Sequence, residues 1–175
     1  GSLKRLHRMI VTSAAYRRSS AADEANAKLD SGNQFLWRMN RARLDAESYR
    51  DAVLAASGRL DLSMGGPSVA QAVVGKGVAG APAPDYAKFD WSGPGSGRRS
   101  VYRYTFRTLG DPFMDALNCP NASIMTGARV HSVDAPQALV LLNNPFVTAQ
   151  ARHLAEASRG ESDGAAGRVR AMYHR

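Results

Sequence analysis

Arg98 to Arg107 (RRSVYRYTFR) interleaves two chemistries, with Arg99, Arg103 and Arg107 at every fourth position and Tyr102, Tyr104 and Phe106 on the alternate parity. Successive side chains of an extended chain point to opposite sides, so the segment reads as a strand with an arginine face and an aromatic face. The aromatic face demands a core. The three guanidiniums demand anions, either internal, with Asp45, Glu47, Asp111 and Asp115 as candidates, or external, as sulfate or carboxylate groups of a ligand. Internal pairing is the simpler reading, because a strand backed by aromatics is a core element and its acids are close at hand.

Around this strand the chain is patterned for helices. Leu3, Leu6, Ile10 and Ala14 recur at helical spacing from Leu3 to Arg18, with Lys4, Arg5 and Arg8 on other faces, and no cap is evident at the start. Ser19 to Asn33 is polar and turn-rich, a loop with room for one helical turn. Phe35, Leu36, Trp37 and Met39 predict a short turn packed into the core. Asp45 to Ser57 is a second helix, with Asp45 as cap, Glu47 at the positive end of the dipole and Gly58 as the left-handed stop; Ala46, Tyr49, Val53 and Leu54 form its stripe. Asp111-Pro112 opens a short helix. Asp134 with Gln137 has capping-box spacing, and Ala138, Leu139, Leu141 and Leu142 behind it predict a helix buried nearly all round. Asn144 caps the next helix, which Pro145 separates from the last. Val169, Met172 and Tyr173 begin a final helical stripe.

Between Arg59 and Gly97 the composition shifts to Gly, Pro, Ala and Ser, leaving Arg59 to Met64 as the short strand able to partner the arginine strand. Gly75-Lys76-Gly77-Val78-Ala79-Gly80 matches the dinucleotide-binding spacing. That motif works only where a helix follows, so that pyrophosphate can sit on its first amides, and here Ala81-Pro82-Ala83-Pro84 follows instead. The match is therefore assigned to loop composition. Gly95-Ser96-Gly97 precedes a strand rather than following one and is rejected as a phosphate loop.

Chemistry-bearing residues are sparse. His7, His131, His153 and His174 are scattered, with no ligand spacing and no legible nucleophile or acid partner. Cys119, the single cysteine, excludes an internal disulfide, a paired-cysteine zinc site and a covalent haem motif, and it reads as a structural thiol. The chain thus predicts no cofactor, no metal and no catalytic residue of its own. The formal charge is +8, carried mostly by Arg, but it is spread along the chain rather than clustered, which argues against nucleic acid as a partner. No apolar run is long enough to span a membrane, and Gly1-Ser2 reads as a cloning scar.

Four runs, LKRLHRMIVTSAAYRRSS, LWRMNRARLDAESYRDAVLAASGRLDLSMGGPSV, RRSVYRYTFRTLGDPFMDALNCP and APQALVLLNNPFV, taken in order from Leu3 to about His153, resemble the planctomycete-specific C-terminal domain of unknown function. That domain occurs in large exported proteins that often carry a cytochrome c-like domain. The resemblance implies an extracytoplasmic setting, genomic company with polysaccharide degradation and no assigned catalytic residues; the stretch from Gly75 to Gly97 matches no family motif. Together these readings predict a mainly α single domain over 3–175, a C-terminal fragment of a larger multidomain protein. Its minor β element is a strand at about 98–108 paired with 59–64, beside a flexible or irregular Gly/Pro-rich lobe at 65–97. The expected role is a non-catalytic structural or interaction module that docks on neighbouring domains through the helices at each end. Alternatives are an anionic or sulfated glycan-binding module, in which Arg99, Arg103 and Arg107 supply charge while Tyr86 and Trp91 stack on sugar rings, and part of an enzyme or redox assembly completed by other domains.

Overall fold

A computed structural model of the protein describes every residue except 108, 131, 133, 161–163 and 175. The chain is mainly α with a minor β element and divides into two compact units, 1–43 and 44–175. Among the described residues no helix is long and apolar enough to cross a membrane.

In the first unit, helix α1 (Leu3–Val11) does have a cap: the Ser2 hydroxyl accepts from the Arg5 amide at 3.3 Å. None of its residues is buried. Helix α2 (Glu24–Leu29) is capped by Asp23 and fills the single turn anticipated for 19–33. The cluster at Phe35 to Met39 is not a core turn. Phe35 is 83% exposed, and the loop is held by polar groups instead: the Asp30 carboxylate accepts from the Gln34 and Phe35 amides, and Trp37 Nε1 donates to the Asp30 carbonyl at 2.9 Å.

The second unit packs α3 (Ala46–Ala56), α4 (Pro112–Ala116), α5 (Ala135–Asn143) and α6 (Pro145–Ala157) around a small core of Ala46, Leu54, Trp91, Phe113, Met114 and Phe146. The Phe146 ring lies 5.1 Å from both Trp91 and Phe113 in edge-on contacts, the arrangement the ring quadrupoles favour. Each helix begins where a local acceptor satisfies its first amides: Asp45 for α3, Asp111 for α4, Asp134 for α5 and Asn144 for α6. Gly58, at φ 72°, follows the end of α3 as expected, and Ser57 Oγ donates to Gln150 Oε1 at 2.9 Å to tie α3 to α6. The last helix, α7 (Gly164–Tyr173), has no buried residue.

Two further expectations are corrected. The arginine-aromatic stretch is not a strand: Ser100–Tyr102 is a turn of 3-10 helix, flanked by single parallel bridges of Arg98 to Asp61 and Arg103 to Val69. The cause is Asp51, whose Oδ1 accepts from both the amide and the hydroxyl of Ser100 at 2.8 Å and bends the backbone there. Among the described residues, which leave out 108, the pairing of 59–64 with 98–108 therefore survives only as the Asp61 bridge. The β element lies inside the Gly-rich stretch, where β1 (Val73–Lys76) pairs antiparallel with β2 (Pro82–Asp85), Val73 opposite Asp85 and Lys76 opposite Pro82. The apparent dinucleotide fingerprint is the end of β1 and the turn of this hairpin; the Gly77 amide donates to the Ala81 carbonyl at 2.7 Å, and a Cβ at Gly77 would lie 2.9 Å from that oxygen. Second, α5 is not buried all round. Among its residues only Gln137 is buried, while Leu139 and Leu142 are 60% and 76% exposed.

Candidate functional site

The second unit is organised by a residue the apolar pattern does not flag. Arg50 sits between Ala46 and Leu54 on the inward stripe of α3 and is 1% exposed. Its Nη1 donates to the Arg98 carbonyl at 2.9 Å and to Ser100 Oγ at 3.3 Å; its Nη2 donates to Gln71 Oε1 at 2.9 Å and the Ser96 carbonyl at 3.0 Å. The guanidinium also lies 5.2 Å from the Phe146 ring centroid. Burial pushes its pKa down to about 10, aided by repulsion from Arg103, yet it remains charged at neutral pH. The i, i+4, i+8 positions 46, 50 and 54 are the available signal, masked because Arg is almost never fully buried.

The same bend scatters the three arginines of the expected face. Arg99 packs beside Tyr102, 5.5 Å from its ring centroid. Arg103 pairs with Asp111 at 2.8 Å, both side chains 8% exposed. Arg107 is exposed and, among the described residues, has no hydrogen bond or ion pair. Of the acids proposed as partners, Asp111 is the one used; Glu47 instead holds Arg129 in a two-pronged pair at 2.5 and 2.9 Å, and Asp45 Oδ2 lies 3.8 Å from the same guanidinium. Of the aromatics, Tyr104 is exposed and Phe106 is buried. Trp91 is a core residue with Phe89 4.8 Å from its ring, and Tyr86 lies edge-on to Phe106 at 6.4 Å while donating to the Leu109 carbonyl at 3.0 Å.

Arg103, Arg107, Tyr86, Asp111 and Asp115 nevertheless meet on one cavity of about 620 Å³, completed by Glu47, Cys119 and Arg129. Its size falls within the range of small-molecule sites. The Arg129 hydrogen bonds hold the Glu47 carboxyl below its usual range, whereas burial and then the neighbouring Asp111 charge raise that of Asp115. Burial, with Glu47 beside it, pushes the Cys119 thiol up to about 11 from an ordinary 9.0, the reverse of an activated nucleophile. Iodoacetamide should therefore label native Cys119 about a hundredfold more slowly at pH 8 than it labels the urea-unfolded chain, since thiolate is the reacting form. Labelling at equal rates in the two states would contradict this environment.

A second, mostly apolar groove of about 410 Å³ runs between Tyr86, Trp91, Pro112, Leu139, Val140 and Pro145, with the exposed Leu139 as one wall. Folding also joins residues with no sequence signal: Ser92 Oγ lies 3.4 Å from His153 Nε2, and Glu156 Oε2 lies 3.9 Å from His153 Nδ1. This has the order of a nucleophile, base and orienting acid. Ser92 and Glu156 are exposed, both spacings are long, and neither cavity described above includes any of the three.

Over residues 1–175 the sequence matches the family model described as PSD1: Protein of unknown function (DUF1553). No curated protein and no solved structure matches it.

Proposed function

We propose that this chain, which belongs to the PSD1 family of proteins of unknown function (DUF1553), is a non-catalytic docking module that seats on neighbouring domains of a larger exported protein. The observation that carries the reading is the bare stripe of α1. Leu3, Leu6, Met9 and Ile10 share one face of a nine-residue helix and are 44–71% exposed, while Lys4, Arg5 and Arg8 occupy the other side. A helix this short is marginal in water by itself, and burying each such side chain fully is worth about 1.5–3 kcal/mol. Covering the stripe thus gives a strong drive to association. The flanking cations favour a cover that is apolar at its centre and acidic at its rim. Leu139 and Leu142 on α5 form a second uncovered apolar face in the other unit.

The larger protein, its extracytoplasmic location, its planctomycete origin and its cytochrome c-like companion follow from the sequence resemblance and belong to the same proposal. An anionic polysaccharide as ligand has narrower support: of the three arginines expected to read it, Arg103 is spent on Asp111, Arg99 lies against Tyr102, Arg107 has no hydrogen bond or ion pair among the described residues, and Trp91 is in the core. The docking reading is tested by expressing this chain apart from the remainder of its full-length polypeptide and measuring association by calorimetry. Leu6→Glu/Ile10→Glu should weaken association at least about tenfold, because two buried contacts are lost, while circular dichroism stays unchanged. No association, or association insensitive to the pair of substitutions, would overturn it.

A further inference from the structure

We infer that the 620 Å³ cavity is a binding site for a small hydroxylated carboxylate of the sugar-acid class, independent of the docking face on α1. The ligand chemistry follows from which charges on its wall are already spent. Arg103 is held by Asp111 and Arg129 by Glu47, so both pairs are internally neutral. Two ionisable side chains are left without a hydrogen-bond or ion-pair partner among the described residues, the guanidinium of Arg107 and the carboxyl of Asp115. A free guanidinium calls for a carboxylate, which it can bind through two parallel hydrogen bonds. A free carboxyl calls for a donor, and its surroundings disfavour the bare anion, so a ligand hydroxyl that donates to it relieves that strain.

The rest of the wall suits hydroxyl groups. Thr105, Thr126 and Asn121 contribute two hydroxyls and an amide, and the Phe106 ring supplies an apolar patch. A ligand with one carboxylate and several hydroxyls satisfies both free groups at once. A neutral sugar satisfies only Asp115, and an inorganic anion only Arg107. The overall charge of +8 further favours approach of an anion.

Glucuronate, glucose and inorganic sulfate distinguish these cases by calorimetry on the whole chain at pH 7. Glucuronate should bind at least about tenfold more tightly than glucose or sulfate, the factor expected of one charge-assisted contact. Arg107→Ala should abolish the preference for glucuronate over glucose, and Asp115→Ala should abolish its preference over sulfate. Arg107 is exposed and unpaired, so its variant is expected to fold, which a melting curve matching the parent confirms. Leu6→Glu/Ile10→Glu should bind glucuronate like the parent, which separates failure of this site from failure of the docking face. Absence of saturable glucuronate binding, equal binding of glucuronate and glucose, or a preference that survives Arg107→Ala would each overturn the assignment.

Discussion

Arg50→Ala should destabilise the protein by about 3–5 kcal/mol, through buried acceptors left unpaired and core volume left empty. Such a loss is a large part of the roughly 5–15 kcal/mol that holds a domain folded. Deleting the guanidinium strands the Arg98 carbonyl and the amide oxygen of Gln71 without the donor they now have, and leaves the Ser96 carbonyl only its bond from Gln71 Nε2 at 3.2 Å. Each buried acceptor left unpaired costs about 1–3 kcal/mol. The substitution also empties the space beside Phe146. Arg50→Lys should recover little, because a single ammonium cannot reach the separate acceptors that the two guanidinium nitrogens reach together. Urea unfolding followed by tryptophan fluorescence measures the effect directly, Trp91 lying in the same core. A loss below about 1 kcal/mol, the net worth of one ordinary hydrogen bond, would show that Arg50 does not hold the loops at 71, 96, 98 and 100.

Arg103→Ala is expected to approach that loss. Its partner Asp111 is as buried as Arg103 itself, so removal of the cation leaves a carboxylate without its counter-ion in the interior, a defect worth about 3–5 kcal/mol. Asp111 also accepts from the Phe113 amide at 2.9 Å and thereby starts α4, which connects the ion pair to the core aromatics. The diagnostic comparison is Arg103→Met/Asp111→Leu. Replacing both charges with apolar groups of similar bulk removes the stranded charge, so the double variant should be more stable than Arg103→Ala despite carrying two changes. Equal or greater destabilisation of the double variant in urea titration would mean that the pair contributes directional bonding beyond charge compensation.

These two residues also show how far the sequence could be read. The caps at Asp45, Asp111, Asp134 and Asn144 were legible because a cap is a contact between a side chain and an amide two or three residues away. Pairing of Arg103 with an internal acid was legible as chemistry, although the choice among four acids was not. What failed was long-range. Alternation at 98–107 predicts a strand, and Asp51, 49 residues from Ser100 in sequence, turns it into a 3-10 bend. Arg50 was hidden because its acceptors lie in segments with no regular pattern. The hairpin was hidden because its strands contain Gly75, Pro82 and Pro84, all poor strand residues, with the prolines tolerated in a two-stranded ribbon that needs only one hydrogen-bonding edge of β2. The apolar run of α5 predicts burial from composition, whereas Leu139 and Leu142 face outward. The same divergence between apolar content and burial on α1 is the basis of the docking assignment.

Hydrogen exchange at the amides of Leu6 to Val11 tests that assignment most directly, compared between this chain alone and the same residues within the larger polypeptide that the proposal requires. These amides lie in a helix with no buried residue, so in the isolated chain they should exchange with little protection. Docking of the Leu3, Leu6, Met9 and Ile10 stripe predicts strong protection in the full-length protein, lost again in Leu6→Glu/Ile10→Glu. Equally fast exchange in both contexts would contradict a docked α1 and with it the proposed function.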